Sequence, residues 1–229
     1  MTASASQRLA YGSVPGVVSP AVEVGAVSLK ASLNRSFVPV GRVIGREGNV
    51  AGCDDGVVPV SVVFISDTHM PKRARDLPDS LWDRIVTSDV VVHAGDWVDV
   101  AVLDELERRA RRVVGVYGNN DHGVLRERLP EIARVELGGV RFAVVHETGD
   151  AKGREQRCAE RFPDVDVVVF GHSHIPWDTT AGTGLRLLNP GSPTDRRRQP
   201  YATYLTAQAD AGRLSEVTLH RLPVRPPRR

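Results

Sequence analysis

Short apolar runs that stop abruptly at polar residues are the feature that most limits how this chain can fold. In VVVFGHSH, residues 167–174, four apolar residues end at Gly171, and His172 and His174 follow one residue apart. Residues i and i+2 of an extended segment point the same way, so both imidazoles are expected to face one site at the end of a buried strand. Taken alone, GHSH would also fit two surface histidines in a loop.

Four other apolar runs end in polar clusters of the same kind. The clusters are DTH at residues 67–69, GDWVD at 95–99, GNND at 118–121 and HE at 146–147. In α/β sheets, ligands bind beyond the carboxyl ends of the strands. Five clusters built mainly from Asp, Asn and His therefore predict one shared binding site rather than five unrelated loops.

The segments between the apolar runs predict helices, because their apolar residues recur at helical spacing. These segments are PDSLWDRIV, VAVLDELERRA and KGREQRCAERF. IARVELGGVRFAVVHE predicts two strands joined by a hairpin turn at Gly138-Gly139, and LRLLNPG, YATYLTAQ and LSEVTLHRL predict later strands. Strands that alternate with helices, followed by a strand-rich end, predict a layered α/β sheet sandwich.

The regular pattern begins at Val57 and divides the chain into three parts. Residues 1–56 are rich in Ser, Ala, Gly, Val and Pro, and they predict either a poorly ordered N-terminal extension or a start codon assigned too far upstream. Residues 57–222 form the predicted domain, and residues 223–229 form a basic tail. A length of 229 residues suffices for one α/β domain with such an extension.

The charge of the chain is nearly balanced, since its formal net charge is only +2. A protein that binds nucleic acid over its whole surface is therefore excluded. The basic excess is local and consists of a cluster, Arg196 to Arg198, and a C-terminal group, Arg221, Arg225, Arg228 and Arg229. For both groups, a solvated charge run and a phosphate-binding role stay open.

Cysteine content and hydropathy bear on the compartment. Two cysteines, Cys53 and Cys158, cannot build a disulfide framework, and they fit a reducing compartment. No window approaches the roughly 20 apolar residues that a membrane span requires. We therefore predict a cytoplasmic protein that has no membrane partner, and the sequence predicts no particular oligomeric state.

The polar clusters contain more candidate metal ligands than one ion can use. Imidazole nitrogen and carboxylate or amide oxygen suit Mn, Fe, Ni or Zn, and no cysteine takes part. Two ions could use all of them if one carboxylate bridged the pair, and ions roughly 3.5–4 Å apart are the arrangement used for displacement at phosphorus. The candidates are Asp67, His69, Asp96, Asn119, His146, His172 and His174.

Five short motifs follow one another over about residues 60–220, in the order Asp-x-His, Gly-Asp, Gly-Asn-x-Asp, His and Gly-His-x-His. This order of motifs resembles the calcineurin-like metallophosphoesterases. The short chain and the Asn-Pro-Gly-Ser motif of residues 189–192 resemble the family's small phosphodiesterase branch. The resemblance implies a metallo-dependent phosphatase-like fold, a four-layer α/β/β/α sandwich. It also implies that Asp67, His69 and His174 hold one ion, that Asn119, His146 and His172 hold the second, and that Asp96 bridges them.

By the same resemblance, the protein is a phosphodiesterase that uses two divalent ions, with Mn favoured over Zn, Fe or Ni. A hydroxide between the ions attacks phosphorus in line, and the paired charges lower its pKa. The residues implied to act in catalysis are Asp96, Asn119, Asn120 and His172. The expected substrate is a small phosphodiester or another phosphoester.

The chain departs from the family pattern at Asn120 and Glu147. Many members have His where Asn120 stands, and an amide cannot protonate a leaving group. We therefore predict either a preference for good leaving groups or water as the proton source. The family usually has Gly where Glu147 stands. The longer, charged side chain is expected to narrow the cleft or to hydrogen-bond a metal-bound histidine, and so to affect substrate range rather than metal binding.

Two other functions fit parts of the sequence. A non-enzymatic branch of the same family uses the fold as a protein-interaction scaffold, but all seven implied ligand types are present here. A nuclease would need a continuous basic groove, whereas the sequence offers nucleic acid only the short arginine cluster and the basic tail as binding residues.

Several polar and aromatic residues have structural interpretations. His93 is expected to pack in the interior, and His122 and His220 are expected at the surface. Asp99 is expected to orient a ligand or to be a surface residue, and Asp121 to cap a helix or to support the site. We expect Asn189 and Gly191 in a wall of the site, and the tryptophans, Trp82, Trp97 and Trp177, in core or rim packing.

Overall fold

A computed structural model describes residues 58–223. The predicted extension, residues 1–56, and the basic tail beyond residue 223 lie outside the described residues. Within them, two five-stranded sheets face each other. None of the described helices is long and apolar enough to cross a membrane.

The first sheet has the strand order β10-β9-β1-β2-β3. Its strands are β1 (Val60–Ile65), β2 (Val90–His93), β3 (Val113–Gly115), β9 (Ala202–Asp210) and β10 (Arg213–Leu222). β1 runs parallel to β2, and β2 runs parallel to β3, whereas β9 is antiparallel to β1 and β10.

The second sheet has the strand order β4-β5-β6-β8-β7. Its strands are β4 (Ile132–Leu137), β5 (Val140–Val145), β6 (Val167–Phe170), β7 (Trp177–Thr180) and β8 (Arg186–Asn189). β5, β6 and β8 are parallel, and β4 and β7 are antiparallel edge strands. The predicted turn between β4 and β5 is confirmed, because Gly138 and Gly139 both have positive φ, at 54° and 78°.

Four helices cover the outer faces and complete the predicted α/β/β/α layers. They are α1 (Asp79–Thr87), α2 (Val100–Arg109), α3 (Val124–Arg128) and α4 (Arg154–Arg161). Alternation along β1 shows how the layers form: Val62 and Phe64 enter the core between the sheets, whereas Val63 and Ile65 pack against the helices on the other face.

The sequence predicted every strand except β7 and every helix except α3. β7 is an edge strand with the sequence WDTT and only half-buried side chains on one face, so it lacks an apolar run. α3 has five residues and one buried side chain, Leu125, which is too short to display helical periodicity. The apolar run RRVVGVYG, residues 111–118, predicted a strand longer than β3, because its last residues, Val116 to Gly118, belong to the loop that carries the site.

The fold brings the polar clusters to one end of the two sheets. Parallel strands end at the same edge, so the residues after β1, β2 and β3 and those after β5, β6 and β8 converge. Backbone hydrogen bonds join these loops: Asp67 donates to Gly95, His69 to Asp96, and Gly171 to His146.

Candidate metal centre

Asp67, His69 and His174 form the first group of candidate ligands, and all three are buried. Each contributes a ligand atom, and these atoms lie within 4.8 Å of one another. The Nε2 atoms of the two histidines are 3.2 Å apart, and Nε2 of His174 is 3.3 Å from Oδ1 of Asp67. The structure thus brings together the three residues predicted for the first ion.

Asn119, His146 and His172 form the second group. Oδ1 of Asn119 lies 3.0 Å from Nε2 of His146 and 3.0 Å from Nδ1 of His172, so two ring nitrogens converge on one amide oxygen. Glu147 joins this group, because its Oε1 is 3.4 Å from Nδ1 of His172. The ligand atoms of His146, Glu147 and His172 also lie within 4.8 Å of one another. A carboxylate that the sequence related only to substrate range is therefore placed to contribute a ligand.

Asp96 lies between the two groups. Its Oδ2 is 3.4 Å from Nε2 of His69, and its Oδ1 is 3.4 Å from Nε2 of His146. Each oxygen thus faces a histidine of a different group. Asn120 fixes the carboxylate, since its backbone N–H donates to Oδ1 at 2.9 Å and its side-chain amide donates to Oδ2 at 2.7 Å. The carboxylate is thus held with one oxygen toward each ligand group.

Backbone carbonyls determine which nitrogen of two histidines faces the centre. Nδ1 of His146 lies 2.7 Å from the carbonyl oxygen of Ala94, and Nδ1 of His174 contacts that of Asp195. A carbonyl only accepts hydrogen bonds, so Nδ1 of each ring carries the hydrogen and Nε2 faces the centre. This arrangement is typical of histidines that bind metals through Nε2.

Burial and neighbouring charges shift the pKa values of these groups. Burial raises the pKa of Asp67 to about 7 and lowers that of His174 to about 4. Burial opposes the charged form of His146, but Asp96 and Asp67 raise its pKa to about 9. Burial also opposes ionisation of Asp96, but His146 and Asn120 hold its pKa well below the usual range.

The donor set fits divalent cations. The Nε2 atoms of His69 and His174 are 3.2 Å apart. A carboxylate oxygen of Asp67 lies 3.3 Å from Nε2 of His174, and one of Asp96 lies 3.4 Å from Nε2 of His69. Closely spaced nitrogen and oxygen ligands without thiolates suit Mn, Fe, Ni or Zn. The arrangement can therefore hold ions that act as Lewis acids toward a phosphoryl group.

The candidate ligands occupy an unusual backbone conformation. Asp67, His69, Asp96, His172 and His174 have positive φ angles of 54°, 44°, 63°, 68° and 58°. Non-glycine residues rarely adopt this region, and the tightly bonded loops hold them there. The reversal at each strand end turns the side chains back over the sheet edge and toward the centre.

Two glycines of the motifs allow a close approach of backbone to backbone. A Cβ at Gly118 would lie 2.2 Å from Oδ1 of Asp96, and a Cβ at Gly171 would lie 2.7 Å from the carbonyl oxygen of Ala94. Any larger residue would push the loops apart. This explains why Gly precedes Asn119 and His172.

Asp121 supports the site rather than capping a helix. Its buried carboxylate accepts hydrogen bonds from the backbone N–H groups of Asp96 at 3.0 Å, Val98 at 2.7 Å and Gly118 at 2.7 Å. The N-cap residue of the following helix, α3, is Gly123. Asp121 thereby fixes the loop after β2 to the loop after β3.

Asp99 does not orient a candidate ligand. Its side chain accepts from the backbone N–H of Ala101 at 2.9 Å and caps α2. The expectation that it orients a ligand is therefore wrong, and the residue is half-buried at the start of α2. His220 is half-buried on the edge strand β10 and stacks on Tyr204 with a centroid separation of 4.6 Å.

Other expectations for single residues are confirmed. His93 is fully buried, stacks on Trp97 at a centroid separation of 3.5 Å and lies 3.1 Å from the hydroxyl of Thr68. His122 is exposed. Trp82 and Trp97 are buried and Trp177 is half-buried, as expected for packing residues.

The motif Asn-Pro-Gly-Ser forms a wall of the site. The amide of Asn189 donates to the carbonyl of Gly171 and accepts from the N–H of Gly191, each at 2.8 Å. The hydroxyl of Ser192 donates to the carbonyl of Asp67 at 2.7 Å.

Ser66, which the sequence did not single out, donates to Oδ2 of Asp67 at 2.7 Å. Its position directly before a ligand is the signal that could have identified it.

A cavity of about 930 Å³ opens beside the second ligand group. Asn119, His146 and Glu147 line it. The remaining charged lining residues are three arginines, Arg126, Arg157 and Arg161, and two glutamates, Glu131 and Glu160. Together with Glu147 the formal charges cancel, so this cavity suits a group without strong net charge.

Comparison with known proteins agrees with this site. Residues 60–212 match a family model described as a calcineurin-like phosphoesterase superfamily domain. A probable metallophosphoesterase of Methanocaldococcus jannaschii is 37% identical over 131 residues, which span 57% of this chain and 66% of that protein. A phosphodiesterase of the same archaeon is 30% identical over 131 residues, which span 50% of this chain and 74% of its own length.

A solved structure shows the same fold. Wild-type Vps29 of Entamoeba histolytica, complexed with Zn²⁺, has 25% identity and a TM-score of 0.57, and the match covers 71% of this chain and 98% of that one. The fold therefore recurs in a protein whose structure was solved as a complex with Zn²⁺.

Proposed function

The chain belongs to the calcineurin-like phosphoesterase superfamily, and on that premise we propose that it is a phosphodiesterase that works with two divalent metal ions. The observation that carries the proposal is the position of Asp96, whose two oxygens each lie 3.4 Å from a histidine of a different ligand group. A carboxylate with one oxygen toward each ligand group is suited to being shared by a pair of ions.

The proposed residue roles follow from the contacts. Asp67, His69 and His174 hold the first ion, and Asn119, His146 and His172 hold the second, with Asp96 between them. Glu147 is a further oxygen ligand available to the second ion. When bound, the ions supply an activated water and neutralise charge on the phosphoryl oxygens. The set combines four imidazole nitrogens with carboxylate and amide oxygens, a mixture that accepts Mn, Fe, Ni or Zn, and we propose Mn as the working ion.

Asn120 serves the site by positioning Asp96. Its backbone and side-chain amides both donate to that carboxylate, so neither is free to protonate a leaving group. A substrate whose leaving group departs without protonation is therefore favoured. We propose that aryl phosphodiesters are cleaved faster than alkyl phosphomonoesters.

Exposure indicates where substrate enters. The side chain of His172 is 52% exposed, whereas that of His174 is fully buried. The second ion's side of the centre therefore faces solvent and the large cavity. His172 is the ligand best placed to contact a bound phosphoryl group.

The proposal is tested with protein that has been stripped by a chelator and reloaded with Mn²⁺. Hydrolysis of bis(p-nitrophenyl) phosphate is measured for wild type, for Asp96→Asn, and for Asp99→Asn as the matched control at the N-cap of α2. We expect activity that returns with metal, falls to the metal-free background in D96N and persists in D99N. Wild-type protein that binds no metal under these conditions would contradict the proposal.

An interaction scaffold is the second candidate, because Vps29 shares this fold. Retention of all seven ligand types favours the enzyme. Binding of a protein partner that is unchanged by metal removal, together with no turnover of any phosphoester, would favour the scaffold. We also propose a cytoplasmic location, which the cysteine content supports.

A further inference from the structure

A second cavity, of about 450 Å³, lies beside the first ligand group and is strongly cationic. Its lining includes four basic residues, Lys72, Arg73, Arg75 and Arg196, and one acid, Asp76. The carboxylate of Asp76 accepts from the backbone N–H of Leu77 and from the indole N–H of Trp82, so it is already engaged.

Two loops connect this cavity to the metal centre. The first loop follows His69 directly, and the backbone N–H of Arg73 donates to the carbonyl of His69 at 2.9 Å. The second loop carries Thr194, whose hydroxyl donates to the carbonyl of Thr68, and Asp195, whose carbonyl contacts Nδ1 of His174. The walls of the cavity are therefore continuous with two ligands of the first ion.

Several of the cations have no protein partner. Within residues 58–223, Lys72 and Arg75 make no hydrogen bond or ion pair, and Arg196 contacts only a backbone carbonyl. Arg73 is the exception, since its Nε lies 3.2 Å from a carboxylate oxygen of Asp195. Unpaired cations around a concave surface have guanidinium and ammonium groups available for phosphate oxygens.

Arg197 adds a further cation next to the cavity, because it directly follows the lining residue Arg196. It is exposed and has a positive φ of 46°.

Charge differs between the two sides of the centre. The cavity beside the second ligand group has balanced charges, whereas the cavity beside the first group has an excess of cations. A phosphodiester bound at the ions has two ester arms. One arm would lie in the cavity with balanced charges and the other arm in the cationic cavity. A nucleic-acid strand would instead need positive charge on both sides of the metal centre.

We propose that the cationic cavity is a phosphate-binding subsite, and that the preferred substrate is a small phosphodiester with a second phosphate group on one ester arm. The proposal rests on the proposed function, because the scissile phosphate must lie at the metal centre. Lys72 and Arg75 are the residues assigned to the second phosphate.

The test compares two chromogenic diesters that differ by one phosphate. Thymidine 5′-(p-nitrophenyl phosphate) has no second phosphate, and its 3′-phosphorylated form has one. For the Mn²⁺-loaded protein we expect kcat/KM to be about tenfold higher for the 3′-phosphorylated ester, because one charge-assisted hydrogen bond has an effect of about that size. In the double variant K72A/R75A the ratio should fall to near one. R108A, which removes an exposed arginine of α2, should keep the wild-type ratio.

Binding measurements separate this proposal from the proposed function. Calorimetry with thymidine 3′,5′-bisphosphate and thymidine 5′-monophosphate requires no turnover, and the bisphosphate should bind about tenfold more tightly to wild type but not to K72A/R75A. If neither ester is hydrolysed but this difference persists, the subsite stands and the phosphodiesterase proposal fails.

Three results would overturn the subsite. The first is equal kcat/KM for both esters together with equal binding of both nucleotides. The second is a phosphate preference that K72A/R75A retains. The third is faster cleavage of single-stranded DNA than of either ester, with a steep salt dependence, which would identify a nucleic-acid strand as the substrate.

Discussion

Asp121→Asn tests the claim that one buried carboxylate holds the two loops of the metal centre together. Oδ2 accepts from the N–H groups of Asp96 and Gly118, and Oδ1 accepts from that of Val98. An asparagine offers one carbonyl oxygen and one amide nitrogen. In either orientation the nitrogen therefore faces at least one backbone N–H that it cannot accept from.

The expected cost follows from these bonds. A hydrogen bond to an ionised group contributes about 1.5–3 kcal/mol, and a buried N–H without a partner costs about 1–3 kcal/mol. The two figures describe the same loss, so they are not added. With one bond removed, D121N should lower the free energy of unfolding by about 2–3 kcal/mol. Because Asp96 and Gly118 move with their backbone, metal affinity should fall as well.

Urea unfolding of the metal-free proteins measures the effect, with equal m values required for comparison. D99N is the matched control, since Asn and Asp are nearly equal as N-cap residues and the change in the free energy of unfolding should stay within about 0.5 kcal/mol. If D121N were as stable as D99N, Asp121 would not be holding the loops, and the support assigned to it would be wrong.

Three further changes have defined outcomes. Gly118→Ala should abolish Mn²⁺ binding in calorimetry, because the new Cβ would lie 2.2 Å from Oδ1 of Asp96; unchanged binding would refute the close approach. Glu147→Gly should weaken binding of one ion by about tenfold and leave the other unchanged in a metal titration, since ligand-shell changes typically cost 10–100-fold in affinity. In a Cys53→Ser background, Cys158 should react with a thiol reagent at pH 7 only on unfolding, because it is 2% exposed and burial raises its pKa; rapid reaction of the native protein would contradict this.

Much of the fold could be predicted because burial sets the residue pattern of each strand. VVFI of β1 and VVVF of β6 are apolar throughout, since each strand is covered on one face by the other sheet and on the opposite face by helices. WDTT at the sheet edge is covered less, so its sequence retains no such pattern. Local pattern thus predicts central strands and misses the edge.

The identity of the candidate ligands was also accessible, because parallel strands must deliver their end residues to one edge. The supporting contacts were not. The tautomer of His146 depends on a carbonyl 52 residues away, and Asp121 accepts from Val98, which is 23 residues distant. Such pairings are set by how loops pack after the sheets form, and no local spacing encodes them.

The left-handed backbone at five candidate ligands has an evolutionary consequence. Each such residue costs about 1–3 kcal/mol, a substantial share of a typical folding stability of about 5–15 kcal/mol. Replacement by Asn or Gly at Asp67, His69, Asp96, His172 or His174 relieves the conformational cost while the sandwich core is untouched. Selection for the reaction is then what keeps these side chains in place. In a lineage released from that selection, drift should remove the ligands long before the fold, and the resulting inactive descendants should be more heat-stable than their ancestor.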